Sequence, residues 1–279
     1  MQCPSLQLKY DNEPPQPKKR PPCWPFDRDQ AYPDATELAR LRAIKQDSEE
    51  WMRERQKRLG ASSCSDAVGL TVVPRDFWRL KTHRIEKEFW PETQAILERG
   101  HRLEPVAAEA YELAVLRKPG GLYSVGIVVH PELAWLHASP DRLIRVEPHG
   151  IVEIKAPVYC IPEREVPPKY MCQVQQQMAC MGPKVEWCDL FYYLHDDEED
   201  QPVHVKCWRI WRNPLYWGVV LQRLRVMADC LQEDRPPTRK EIPLRPRMPP
   251  VRTQVIFEWK RYEPEKEPEF RKNDADNVV

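Results

Sequence analysis

The sequence predicts an α/β fold: a central mixed β-sheet flanked by α-helices, with proline-rich disordered ends. Helix-period and β-rich stretches alternate through the middle of the chain, as in a layered α/β domain. Prolines crowd the ends, with eight of the 30 in residues 1–33 and another eight in residues 235–279. A hydrophobic share of 41% and 10 Trp provide for a core between them. The expected organisation is a disordered leader over 1–33, a folded domain over 34–234 and a charged tail over 235–279.

The leader carries Lys18-Lys19-Arg20, which is a solvated run, a nuclear address or a phosphate contact. From Asp34 the pattern turns helical. Leu38, Leu41 and Ile44 form its apolar stripe, Trp51 follows, and Gly60 is its stop. The Ser-rich stretch ASSCSDAVGL comes next, beside Arg58. It is either a turn that takes a phosphate on N–H groups, hydroxyls and the guanidinium, or a capping turn for the next helix. Glu88 to Lys118 is the second helical region, with Pro91 in its first turn. Its small residues Gly100, Ala107 and Ala108 would let it approach a sheet closely. Glu104 precedes Pro105, near a kink or a helix restart. It is either a partly buried functional acid or a dipole partner for the helix after Pro105.

After the Gly120-Gly121 turn, LYSVGIVVH (122–130) reads as one strand. Lys169 to Met181 reads as a helix with a core stripe of Met171, Val174, Met178 and Met181. Gln173 and Gln177 share another of its faces, either solvated or with Gln173 reaching a catalytic group. Val185–Leu194 and Val203–Trp211 read as strands around an acidic turn, Asp196–Asp200. Asn213-Pro214 starts a helix to about Asp234, with Leu215, Val219, Val220, Leu224, Met227 and Leu231 inward. The tail reads as loosely attached, with a short strand at VIFEW.

Charge balances at 43 against 43, so any nucleic-acid footprint must be local. No apolar run reaches the length of a membrane span, and MQCPSLQLKY lacks a signal-peptide apolar region. The 9 Cys include no CxxC pair, and the eight-residue recurrence of Cys172, Cys180 and Cys188 suits neither zinc-finger nor iron–sulfur spacing. Packed, reduced thiols and an intracellular location are expected: cytoplasm for a bacterial or phage protein, the nucleus as the eukaryotic alternative.

The chemistry centres on HASPDRLIRVEPHGIVEIKAP, residues 137–157. Glu153 and Lys155 are two apart and leave the same face of a strand. If Pro148-His149-Gly150 is a three-residue hairpin loop with Gly150 left-handed, Glu147 faces Ile151, Arg145 faces Glu153 and Leu143 faces Lys155. Asp141 then joins the Glu153/Lys155 face; a one-residue slip would turn it away. Two carboxylates and a lysine on one surface suit a shared Mg²⁺, with hydrolysis of a phosphodiester as the chemistry. The alternative is an ordinary surface cluster.

Four separated pieces reverse that balance. SPD (139–141) with EIKAP (153–157), RGHRLEPVA (99–107), YMCQVQQQM (170–178), and Arg58-Leu59-Gly60 with Ser65 stand in this order. Together they resemble the YqaJ-type viral recombinases, the phage lambda exonuclease family within the PD-(D/E)XK nucleases. The resemblance covers about residues 51–231. Arg142 stands where that family usually has Gly, and Ala156 replaces its Cys.

The resemblance implies a restriction-endonuclease-like core and a Mg²⁺-dependent deoxyribonuclease, with Mn²⁺ as a substitute. It also implies a 5′-to-3′ exonuclease on double-stranded DNA ends that feeds a single-strand annealing protein, and a homotrimer. Asp141 and Glu153 would ligate metal with the Ile154 carbonyl. Lys155 would orient or deprotonate the attacking water, and Gln173 would support Lys155. Glu104 would hold a further water or a second metal. Arg58 and Ser65 would grip a terminal phosphate. The alternatives are an endonuclease on the same scaffold and a catalytically silent DNA-binding module.

Overall fold

The computed structural model describes residues 26–84, 90–145 and 150–261. The Lys18-Lys19-Arg20 patch and most of the leader lie outside them. Of the leader, Phe26 is buried in the core and Arg28 pairs with Asp229.

The α/β architecture is as expected, in two sheets. The larger has six strands: β2 (Leu122–Tyr123), β5 (Arg142–Ile144), β6 (Ile151–Lys155), β7 (Trp187–Asp196), β8 (Gln201–Trp211) and β9 (Thr253–Lys260), in that spatial order. Only β6 and β7 run parallel within it; the other pairs are antiparallel. A parallel pair needs a crossover, and α6 (Pro168–Met181) supplies it. The smaller sheet has the order β1 (Leu59–Gly60), β4 (Leu136–Ala138), β3 (Val128–Val129). Helix α6 packs against both sheets through Val174 and Met178, which share a buried cluster with Ala138, Val128, Ile151 and Leu190.

The helical region from Asp34 is two helices, not one: α1 (Ala35–Ala43) and α2 (Glu49–Gln56). Asp47 has φ 62°, and the Ser48 hydroxyl accepts from Trp51 N, which starts a new helix. The expected strand LYSVGIVVH is also divided. Its start joins the larger sheet as β2 and its end joins the smaller as β3. Between them Gly126 and Ile127 donate to the carbonyls of Arg42 and Leu41, both at 2.8 Å, and so satisfy the end of α1. A Cβ on Gly126 would lie 2.3 Å from the Ile44 carbonyl oxygen, so only glycine permits this approach.

Short helix α3 (Cys64–Ala67) follows β1 through one 3₁₀ turn, and α4 (Pro74–Lys81) fills a stretch not assigned from sequence, although Pro74 at its start and Arg79 and Lys81 in its last turn suit a helix. Helix α5 (Pro91–Tyr111) passes through Pro105 without a restart. The dipole-partner reading of Glu104 therefore does not apply. Ala107 and Ala108 are buried against the sheet, whereas a Cβ on Gly100 would touch nothing. Tyr111 anchors the helix end: its hydroxyl donates to Asp189 at 2.7 Å, and Arg209 makes two 2.9 Å bonds to the same carboxylate.

Helix α7 (Pro214–Gln232) begins on the Asn213 cap as expected, but Leu215 is exposed rather than inward. The tail is firmly attached over its first half. Ile242 is buried, and β9 extends the larger sheet beyond VIFEW at both ends. Among the described residues seven cysteines are free, six of them buried, which is the packed-thiol arrangement expected. No helix among them is long and apolar enough to cross a membrane.

Candidate active site

Strands β5 and β6 place Arg142 opposite Val152 and Leu143 opposite Ile151. The expected pairing of Leu143 with Lys155 and Arg145 with Glu153 is four residues out of register. An even shift keeps every side chain on its face, so Asp141 still reaches the Glu153/Lys155 side. The connection from Ile144 to Gly150 is longer than three residues. Pro148, His149 and Glu147 lie outside the described residues. Gly150 does not take the left-handed conformation. Its lack of a side chain makes room instead, since a Cβ there would lie 2.3 Å from the Trp187 ring.

Asp141 accepts the Ile154 N–H at 2.7 Å. Glu153 is 1% exposed, and its carboxylate accepts from Lys155 Nζ, from Gln173 Nε2 at 2.6 Å and from Gln177 Nε2 at 2.5 Å. Gln173 thus supports Glu153 directly and meets Lys155 only through the shared oxygen. Burial, and then the Glu153 charge, hold the Asp141 carboxyl well above the ordinary carboxylate range. Burial pulls the Lys155 ammonium down, but Glu153 and Asp141 outweigh it and raise its pKa. Two neighbouring carboxylates with hard oxygens, Glu153 buried and Asp141 half-buried, repel each other, and a divalent cation relieves that repulsion. The donor set therefore fits such an ion. Among the described residues no three His, Cys, Asp or Glu converge as a ready-made cage.

Residues 50–184 match the model of the YqaJ-like viral recombinase domain. That stretch, 135 of the 279 residues, is similar to this family. YqaJ of Bacillus subtilis (strain 168), itself uncharacterized, is 30% identical over 142 residues, 49% of this chain. The chain spans 43% of that relative's length. The alkaline exonuclease of Laribacter hongkongensis has a similar fold, with TM-score 0.53 at 24% identity, covering 67% of this chain and 94% of that one. The same exonuclease in complex with dAMP gives TM-score 0.51 at 26% identity over the same shares.

Within the YqaJ-like domain the glutamine-rich helix is not solvated: Gln175, Gln176 and Gln177 are all buried. Gln176 donates to the carbonyls of Leu59 and His137 at 3.0 and 3.1 Å, joining β1 to β4. Gln175 donates to Trp211 O and accepts from Asn213 N, both at 2.8 Å. Arg99 of α5 pins the exit of β6 by donating to the carbonyls of Ala156 and Pro157 at 3.3 and 3.2 Å. The same guanidinium reaches His195 O and Asp197 across the β7–β8 turn.

The structure encloses Arg58 and Ser65. Arg58 is 4% exposed, pairs with Glu54 at 3.2 Å and donates to Ala134 O at 3.0 Å; Ser65 is buried and accepts from Thr71. Three residues earlier a second pair faces outward. Half-buried Arg55 donates to the exposed Ser62 hydroxyl at 2.7 Å and lies 3.9 Å over the Trp51 ring. Burial lowers the Arg55 pKa, and the charges of Asp47 and then Glu153 act against that shift. Both pairs are seven apart in sequence, which hides the difference. The distinguishing signal is the buried stripe Trp51, Glu54 and Arg58 on α2 and its continuation, which turns Arg58 inward and leaves Arg55 off it. Glu104 approaches the cluster from α5 and bonds Arg142 Nη1 at 2.6 Å.

Proposed function

We propose that this domain is a Mg²⁺-dependent deoxyribonuclease that degrades double-stranded DNA from its ends in the 5′-to-3′ direction. The observation that carries the reading is the convergence of Asp141, Glu153 and Lys155 on one strand surface, with two glutamines fixing Glu153. The similar fold of an alkaline exonuclease, also solved with dAMP, supports DNA as the substrate.

Asp141, Glu153 and the Ile154 carbonyl would hold the cation, which when bound supplies Lewis-acid stabilisation of charge on the reacting phosphate. Gln173 and Gln177 fix the Glu153 carboxylate in one orientation. Lys155 lies against that carboxylate, held protonated by its acidic neighbours, and in this state it donates to and orients a water. As an ammonium, Lys155 would position that water for attack rather than take its proton. Arg55 and Ser62, rather than Arg58 and Ser65, present the donors for a terminal phosphate. In the same reading the exposed single strand passes to an annealing protein, and the working assembly is a homotrimer.

The test uses linear and closed circular duplex with Mg²⁺. Nucleotide release from linear duplex alone supports an end-dependent nuclease. Nicking of circles points to an endonuclease, and no release from either to a silent DNA-binding module. Asp141→Asn and Glu153→Gln should each lower the rate by about 10³-fold or more, on the scale of losing an electrostatic stabiliser, with circular dichroism and DNA binding retained. Parental activity in either variant refutes the assignment.

A further inference from the structure

Arg142 follows Asp141 directly, opens β5 and reaches across to α5. Its Nη1 lies 2.6 Å from Glu104 Oε1 and 2.6 Å from the Asp141 carbonyl oxygen. The side chain is 14% exposed and its partner Glu104 26%. The guanidinium is thus tied at two points between α5 and the strand that carries Asp141.

Asp141 senses the charges of both Glu153 and Glu104. Three cations answer these acids: Lys155 on Glu153, Arg142 on Glu104, and Arg55, whose charge also interacts with Glu153. With all three carboxylates ionised the group is neutral, so one divalent ion takes it to two net positive. A second would take it to four in a partly buried space, where like charges repel far more strongly than in water. Glu104, moreover, is already committed to a guanidinium that never deprotonates. With Gly at 142 Glu104 would lose that partner, and each of these net charges would fall by one.

We propose that Arg142 stands in for a second metal ion, so that this site binds a single divalent cation, on Asp141 and Glu153, with Glu104 withdrawn from coordination. The inference rests on the nuclease reading and adds a stoichiometry that the reading alone does not contain.

The test is titration of the full chain with Mn²⁺, read by calorimetry and by the electron paramagnetic resonance signal of free Mn²⁺. One ion per chain is expected in the parent and in Arg142→Lys, and two in Arg142→Gly. Removing the released ligand, in Arg142→Gly/Glu104→Gln, should restore one. Two ions in the parent, which needs no variant to fold, would overturn the inference, as would one ion in a folded Arg142→Gly. If the parent cleaves linear duplex while binding two ions, the inference fails and the nuclease reading survives. A parent that binds no Mn²⁺ overturns both.

Discussion

Arg55 and Arg58 lie three residues apart yet meet different surroundings, and that difference can be measured. Arg58→Ala removes a buried donor from the Ala134 carbonyl, while Glu54 keeps Arg40 and Lys57. The expected cost is about 1–3 kcal/mol in urea unfolding, the scale of one unsatisfied buried group. Arg55→Ala gives up the Ser62 hydrogen bond and the packing on Trp51, so a loss of about 1 kcal/mol is expected. It should weaken the preference for 5′-phosphorylated ends about 10- to 100-fold, the worth of a charged hydrogen bond. An unchanged preference in Arg55→Ala with a loss in Arg58→Ala would return the phosphate to Arg58. At this scale the sequence shows the carboxylates and the lysine, because a two-residue spacing on a strand determines the face. It does not separate the two Arg…Ser pairs, because burial along a short helix depends on what that helix packs against.

At the scale of elements, Arg99 links α5, the end of β6 and the β7–β8 turn. Hydrogen bonds from Arg99 and then Arg102 lower the Asp197 carboxyl to about 2. A carboxylate depressed in the folded state adds stability above its unfolded value, near 3.9, and loses it as pH falls toward 2. Asp197 is 43% exposed, so the contribution is about 1 kcal/mol at most. Asp197→Asn should therefore melt slightly below the parent at pH 7 and match it near pH 2. A gap that persists at pH 2 would mean that the charge is not the cause. Strands β7 and β8 and helices α6 and α7 are legible in sequence, each with strong periodicity or a clear cap. The division of LYSVGIVVH is not, since it arises when Gly126 docks on the end of α1, a contact distant in sequence.

For the whole molecule, β9 closes one edge of the larger sheet. It pairs with β8 from Ile210 to His204. A chain ended at residue 252 would leave that face of β8, including buried Cys207, as an open edge, a template for association. Light scattering should show oligomers or aggregates; a monodisperse product with the parent's apparent mass would refute this. The strand itself is legible at VIFEW, but the prolines at 236–250 make the segment before it read as loosely attached, although Ile242 there is buried in the core.

The buried glutamines of α6 have a consequence for sequence drift. Gln175 and Gln176 contact main-chain groups of Leu59, His137, Trp211 and Asn213, which any residue at those positions would offer. The strands can therefore exchange side chains over generations while the joint between the two sheets persists. The helix has no such freedom, because its half of each contact is an amide that no apolar replacement reproduces.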